Sequence, residues 1–181
     1  MRTSGKSRQI RSCSGGWEEV AKLTPQGGKK NDQFGFTVAM LGDTIAVGAR
    51  RADPDNMKDA GAAYVYTLDG NTVDLAARLT ANDASEGDEF GQSIAIAGNA
   101  IAVGAWKDDI GADEDQGSVY LFRRIGNRWF ETGTITTSDG MKGDEFGYSL
   151  SAFGNRMVTG AHFADFTYTN AGVAYVLPLK L

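Results

Sequence analysis

The sequence predicts an all-β chain of about three four-stranded antiparallel β-propeller blades, and three observations lead there. A nineteen-residue phrase recurs as "NDQFGFTVAMLGDTIAVGA" (31–49), "GDEFGQSIAIAGNAIAVGA" (87–105) and "GDEFGYSLSAFGNRMVTGA" (143–161). The copies keep a strict register: Phe34, Phe90 and Phe146 are spaced 56 and 56, as are Gly48, Gly104 and Gly160. Finally, short β-forming runs are broken by Gly-Asp or Gly-Asn, and no 3.6-residue apolar period persists long enough for a helix of useful length.

In chain order, residues 1–16 read as a disordered basic tail. "MRTSGKSRQIRSCSGG" lacks the apolar centre of a secretory signal, and its Arg- and Ser-rich, acid-free composition is shared with organelle transit peptides. Residues 17–24, "WEEVAKLT", read as an extra fourth strand, because Thr24, Thr80 and Thr136 end similar segments at 56-residue spacing. Three repeats follow, at about 25–80, 81–136 and 137–181, within a propeller segment of 17–181. In each, two apolar strands meet at Gly42-Asp43, Gly98-Asn99 or Gly154-Asn155, tight-turn signals in which glycine supplies the positive φ. A longer Asp- and Gly-containing loop leads to a third strand ("AAYVYTL", "SVYLF", "VAYVL"). A second hairpin near Gly70-Asn71 or Gly126-Asn127 leads to the fourth, "VDLAARLT" or "RWFETGTIT".

Four antiparallel strands per 56 residues fit a propeller blade. A parallel β-helix repeats at a shorter interval, and an immunoglobulin-like sandwich does not duplicate itself at this length. The strands number twelve if 17–24 is counted, three blades' worth, with the last blade lacking its own fourth strand. Because propellers have about four to eight blades, the expectation is a segment of a longer propeller, or else a ring completed by oligomerisation.

Composition bounds the function. The 181 residues, 41% hydrophobic, suffice for a real core, and no apolar run approaches the roughly 18 residues of a membrane helix. The net charge of −5 divides into +5 over residues 1–30 and −10 over 31–181, so the acidic body suits cations or basic partners and not nucleic acid. Cys13 is the only cysteine and His162 the only histidine. No Gly-x-Ser-x-Gly elbow, phosphate-binding Gly-rich motif or zinc spacing occurs.

The Phe-Gly opening, apolar hairpin and Gly-Ala close, with "LT..D...GDEFG.S.A..G..IAVGA" and "G.VY.F", resemble the FG-GAP repeat, the blade unit of integrin α-subunit propellers. The version here is most similar to repeats of large bacterial and algal surface or secreted proteins. That resemblance implies an extracellular or cell-surface adhesion-type module within a larger protein. Two features depart from the family pattern. The proline of Gly-Ala-Pro is replaced by Arg50, Trp106 and His162, and the two-residue turns leave no room for the Asp-x-Asp-x-Asp-Gly calcium loop.

The repeated letters have packing roles. Phe34, Phe90 and Phe146 are apolar plugs between blades, and Gly35, Gly91 and Gly147 allow close backbone approach. Gly48, Gly104 and Gly160 supply small residues where blades crowd. Asp32, Asp88 and Asp144 read as turn-binding side chains that accept backbone N–H bonds, with metal ligation the alternative. The acidic loops hold Asp53, Asp55 and Asp59 in the first copy and Asp108, Asp109, Asp113, Glu114 and Asp115 in the second, while the third keeps Asp165. These carboxylates serve either Ca²⁺, which takes six to eight loosely arranged oxygens, or solvation and turn formation.

Arg50, Trp106 and His162 are also spaced 56 and 56, so a propeller presents them at equivalent rim positions, where a fixed frame diversifies a binding face. The expected function is therefore a non-enzymatic module whose loop residues bind a protein or glycan. Its other partners would be further blades or a second copy of itself. The alternatives are a hydrolase or lyase using loop carboxylates, which need no sequence motif, and a structural spacer.

Overall fold

The computed structural model describes residues 19–179; the tail (1–16), Cys13 and Trp17 lie outside the described residues. Eleven strands form three antiparallel sheets in chain order. The first blade comprises β1 (Val38–Leu41), β2 (Thr44–Ala49), β3 (Ala62–Asp69) and β4 (Thr72–Leu79). The second comprises β5 (Ser93–Ala97), β6 (Ala100–Ala105), β7 (Ser118–Ile125) and β8 (Arg128–Ile135), and the third β9 (Phe146–Phe153), β10 (Arg156–Ala161) and β11 (Val173–Pro178). Each sheet is a meander in sequence order, and the three do not close into a ring.

The hairpins form where the glycines place them. Leu41 pairs with Thr44 across Gly42-Asp43, and Asp69 with Thr72 across Gly70-Asn71, with both glycines at φ near +56° (56° and 57°). In both complete blades the third and fourth strands carry a bulge at the same repeat position, between Val65 and Tyr66 and between Leu121 and Phe122. A bulge adds local twist, which turns the outer strand.

The core lies between blades. Ala63, Val65 and Leu79 of the first blade pack with Phe90, Ile94, Ile96, Ile101, Tyr120 and Phe122 of the second. Val119, Leu121 and Ile135 of the second pack in the same way with Phe146, Met157 and Leu177 of the third. Phe90 and Phe146 are fully buried, so each stabilises its junction by about 2–3 kcal/mol of apolar burial.

Two devices fix the distance between blades. A Cβ on Gly48 would stand 2.1 Å from the carbonyl oxygen of Gly91, and one on Gly104 would stand 2.0 Å from that of Gly147. The Gly-Ala of one blade thus presses on the Phe-Gly of the next, which explains both pairs of letters together. The long loops supply the second device. Carbonyls of Lys58, Asp59 and Ala60 accept from the N–H groups of Gly87, Glu89 and Phe90, and those of Glu114, Asp115 and Gln116 accept from Gly143, Glu145 and Phe146.

Residues 19–24 depart from expectation. They are irregular and join no sheet, because the third strand that would pair with them belongs to no blade beside them. Leu23 nevertheless packs with Phe34 and Tyr64, in the place that Leu79 and Ile135 hold at the other two junctions.

Candidate binding face

Arg50, Trp106 and His162 each follow the last residue of β2, β6 or β10, so the register that aligns the blades puts all three on one end of the arc. Close by are Gln33, Glu89 and Glu145, the residues before the buried Phe positions, all in the left-handed region at φ 55°, 51° and 57°. Side chains disfavour that conformation by roughly 1–2 kcal/mol. For Glu89 and Glu145 the interblade N–H bonds to Asp59 and Asp115 hold it in place.

These residues join into one array across the blades. Arg50 Nε donates to Gln33 Oε1 at 2.8 Å and its Nη1 to Gln92 Oε1 at 2.9 Å, while the guanidinium lies 3.9 Å from the centre of the Phe36 ring. Arg50 Nη1 is also 3.2 Å from Glu89 Oε2, to which Trp106 Nε1 donates at 3.1 Å. Trp106 meets Tyr148 edge to face at 5.3 Å, Tyr148 lies 4.0 Å from His162, and His162 lies 4.0 Å from Phe163. The array thus runs from the first blade to the third without a gap.

Its two carboxylates are treated differently. Buried Glu89 is surrounded by Arg50, Arg51 and Lys107, all within 4 Å, and is compensated. Glu145, also buried, has no ion pair among the described residues except His162, whose Nε2 lies 3.3 Å away without the alignment of a hydrogen bond. Burial lowers the pKa of His162, which disfavours the charged ring beside Glu145. Glu145 Oε2 has no hydrogen-bond partner among the described residues. Burial, reinforced by Asp115 and partly offset by Lys107, pushes its carboxyl up to about 7. The array is saturated at its middle and short of a donor at its third-blade end.

The acidic loops serve the architecture. Asp53 Oδ1 accepts the N–H of Asp59 at 2.9 Å, and Asp109 Oδ1 that of Asp115 at 2.9 Å, shaping the loops that bond the next blade. Asp108 accepts from Ser118 and Tyr120. Asp55 lies inside the short turn Pro54–Asn56 at φ 52°, Asp113 bridges to Ile110, and Glu114 pairs with Lys142 on the surface. Among the described residues no three His, Cys, Asp or Glu side chains converge to hold a metal ion. Asp32, Asp88 and Asp144 each accept a backbone N–H three residues upstream at 2.7, 2.7 and 2.8 Å, the turn role read from the sequence.

The FG-GAP repeat model matches residues 17–66, 73–122 and 129–177. The chain belongs to the FG-GAP repeat family. The second and third matched FG-GAP units start on the fourth strand of one blade and end on the third strand of the next, and the first ends on β3. The family repeat therefore spans the blade junction, where its Phe-Gly and Gly-Ala glycines meet. No curated protein matches the chain. FG-GAP repeats make β-propeller-type modules, which commonly bind other molecules, and among the described residues no helix is long and apolar enough to cross a membrane.

Sequence reading missed Glu89, Glu145, Gln92 and Tyr148. The glutamates stand inside the repeated "GDEFG", in which only the Asp, Phe and Gly were given roles. The available signal was that Gln33, Glu89 and Glu145 vary in charge in step with Arg50, Trp106 and His162, seventeen residues further on.

Proposed function

We propose that this FG-GAP chain is a non-enzymatic, adhesion-type binding module of the cell exterior, and that it takes a protein ligand through a basic side chain at the third-blade end of the array. The observation that carries this reading is Glu145 Oε2, buried and without a hydrogen-bond partner among the described residues, beside the partly exposed rings of Tyr148 and Phe163. A lysine or arginine that moves the half-exposed His162 ring aside would supply the missing donor, a charge-assisted bond of about 1.5–3 kcal/mol. Lying over Tyr148 would add about 0.5–2 kcal/mol of cation–π attraction. The acidic body of the chain steers the same kind of partner. The exposed rings also favour a second reading, a glycan stacked on Tyr148 and Phe163.

A peptide array with and without Lys and Arg, run beside an oligosaccharide panel, tests this. Basic peptides should be retained and should bind at least about tenfold more weakly to Glu145→Gln and Tyr148→Ala. Retention of glycans alone supports the second reading. Equal binding by wild type and both variants would overturn the site, and would leave the acidic loops to be tested for hydrolase or lyase turnover.

A further inference from the structure

We propose that two copies of this chain join head to tail through the open faces of their first and third blades and close a six-bladed ring. The two junctions inside the chain serve as the template, because each is built from the same three parts. Both ends of the arc carry one half of every part.

The first part is the backbone lacing. The third blade's long loop is one residue shorter, and the carbonyls at the lacing positions are those of Thr169, Asn170 and Ala171. The loop has the same construction: Asp165 Oδ1 accepts the N–H of Asn170, as Asp53 and Asp109 do for Asp59 and Asp115. Asn170 has φ 56°, matching 54° at Asp59 and at Asp115. The matching donors at the other end are the N–H groups of Asn31, Gln33 and Phe34, which meet no backbone acceptor among the described residues.

The second part is the glycine contact. Where Gly48 and Gly104 are pressed by the next blade, a Cβ on Gly160 would meet only the Ser149 side chain. Where Gly91 and Gly147 are pressed by the preceding blade, Gly35 has nothing within 4 Å. Ser93 donates to the Gly147 carbonyl across the second junction at 2.6 Å, and Ser149 is its repeat equivalent, facing the open side.

The third part is the apolar face. Val38 is 68% exposed although its equivalent in the second blade, Ile94, is 6% exposed. Val176 is 64% exposed although its equivalent in the first blade, Val65, is 1% exposed. Met40 at one end and Val158 at the other are likewise uncovered. Exposed apolar faces of this kind mark contact surfaces.

The outer strand completes the match. Leu179 N–H bonds Asn155, so strand alternation turns the N–H groups of Ala174 and Val176 to the free edge of β11. In the register of β3 with β4, those residues would face Leu23 and Ala21 of the second copy, and Leu23 already packs on the first blade in the place that Leu79 and Ile135 hold at the other junctions. The irregular segment 19–24 would thereby gain the sheet it lacks. A head-to-tail contact either closes or grows without end. Two such arcs supply six blades, within the roughly four to eight that close a propeller.

Sedimentation velocity on the full chain tests this, with Gly160→Ala and Val176→Asp altering one end and Met40→Glu the other. The wild type should run as a species of twice the 19.3 kDa chain mass. All three residues lie at the open ends, so each variant should keep a cooperative melt while its dimer weakens by about a hundredfold. Mixing Val176→Asp with Met40→Glu should restore a two-chain species, since one junction remains intact. A wild type that stays monomeric to millimolar concentration would overturn the proposal. So would an open-ended ladder, or a dimer that the mixture fails to restore.

Discussion

The spacing between blades should be most sensitive to a single methyl group at Gly104. In Gly104→Ala the added Cβ would lie 2.0 Å from the Gly147 carbonyl oxygen and 2.4 Å from Ser93 Oγ. An ordinary contact requires about 3.4 Å or more, so the third blade must move away or the strands must bend. Overpacking of this kind costs about 1–3 kcal/mol. Displacing Ser93 also breaks its buried 2.6 Å bond to Gly147, which costs about 1 kcal/mol more. The total of about 2–4 kcal/mol corresponds to a fall in Tm of roughly 4–16 °C for a domain of this size. Gly133→Ala is the control: a Cβ there meets nothing within 4 Å, and the first blade already has Ala77 at that repeat position. Thermal and urea unfolding of both variants, followed by circular dichroism, would measure the difference. Equal behaviour of Gly104→Ala and Gly133→Ala would refute the account of the Phe-Gly and Gly-Ala glycines as a blade lock.

Three further outcomes are expected. Asp109→Ala should lose about 1–2 kcal/mol in urea unfolding, because the Asp115 N–H loses its acceptor and the loop bonded to the third blade loosens, whereas Asp113→Ala should stay within about 0.5 kcal/mol. Phe90→Ala should cost about 3–5 kcal/mol, since the ring is fully buried between two blades. The Glu145 carboxyl is raised from 4.5 to about 7, so the folded state binds its proton more tightly than the unfolded state. Its contribution is complete below about pH 4.5 and is lost as pH rises through about 7. Glu145→Gln should therefore gain stability relative to wild type between pH 5 and pH 8, on the order of 1 kcal/mol after allowance for partial solvation.

The strands, their order and both hairpins were legible because three copies in register separate recurring letters from incidental ones. Gly42-Asp43 and Gly126-Asn127 are local turn chemistry and need no tertiary information. The acidic loops were ambiguous for a physical reason. Asp53 and Asp109 reach the N–H of Asp59 and Asp115 only because those residues take positive φ, which nothing in their identity announces. Arg50, Trp106 and His162 were found by position, but the array that joins them was not. Glu89 meets Arg50 of one blade and Trp106 of another, a pairing that exists only once the blades are stacked. The segment 17–24 was read as a fourth strand from its repeat spacing, yet pairing needs a partner edge, and the described part of it has none beside it.

Backbone-amide NMR titration of the full chain with an arginine-bearing peptide tests the central claim most directly. The account predicts shifts confined to residues 145–148 and 162–163, with loss of saturation in Glu145→Gln. Shifts centred on the acidic loops at 53–59 and 109–115, or the same response from the Glu145→Gln chain, would contradict it.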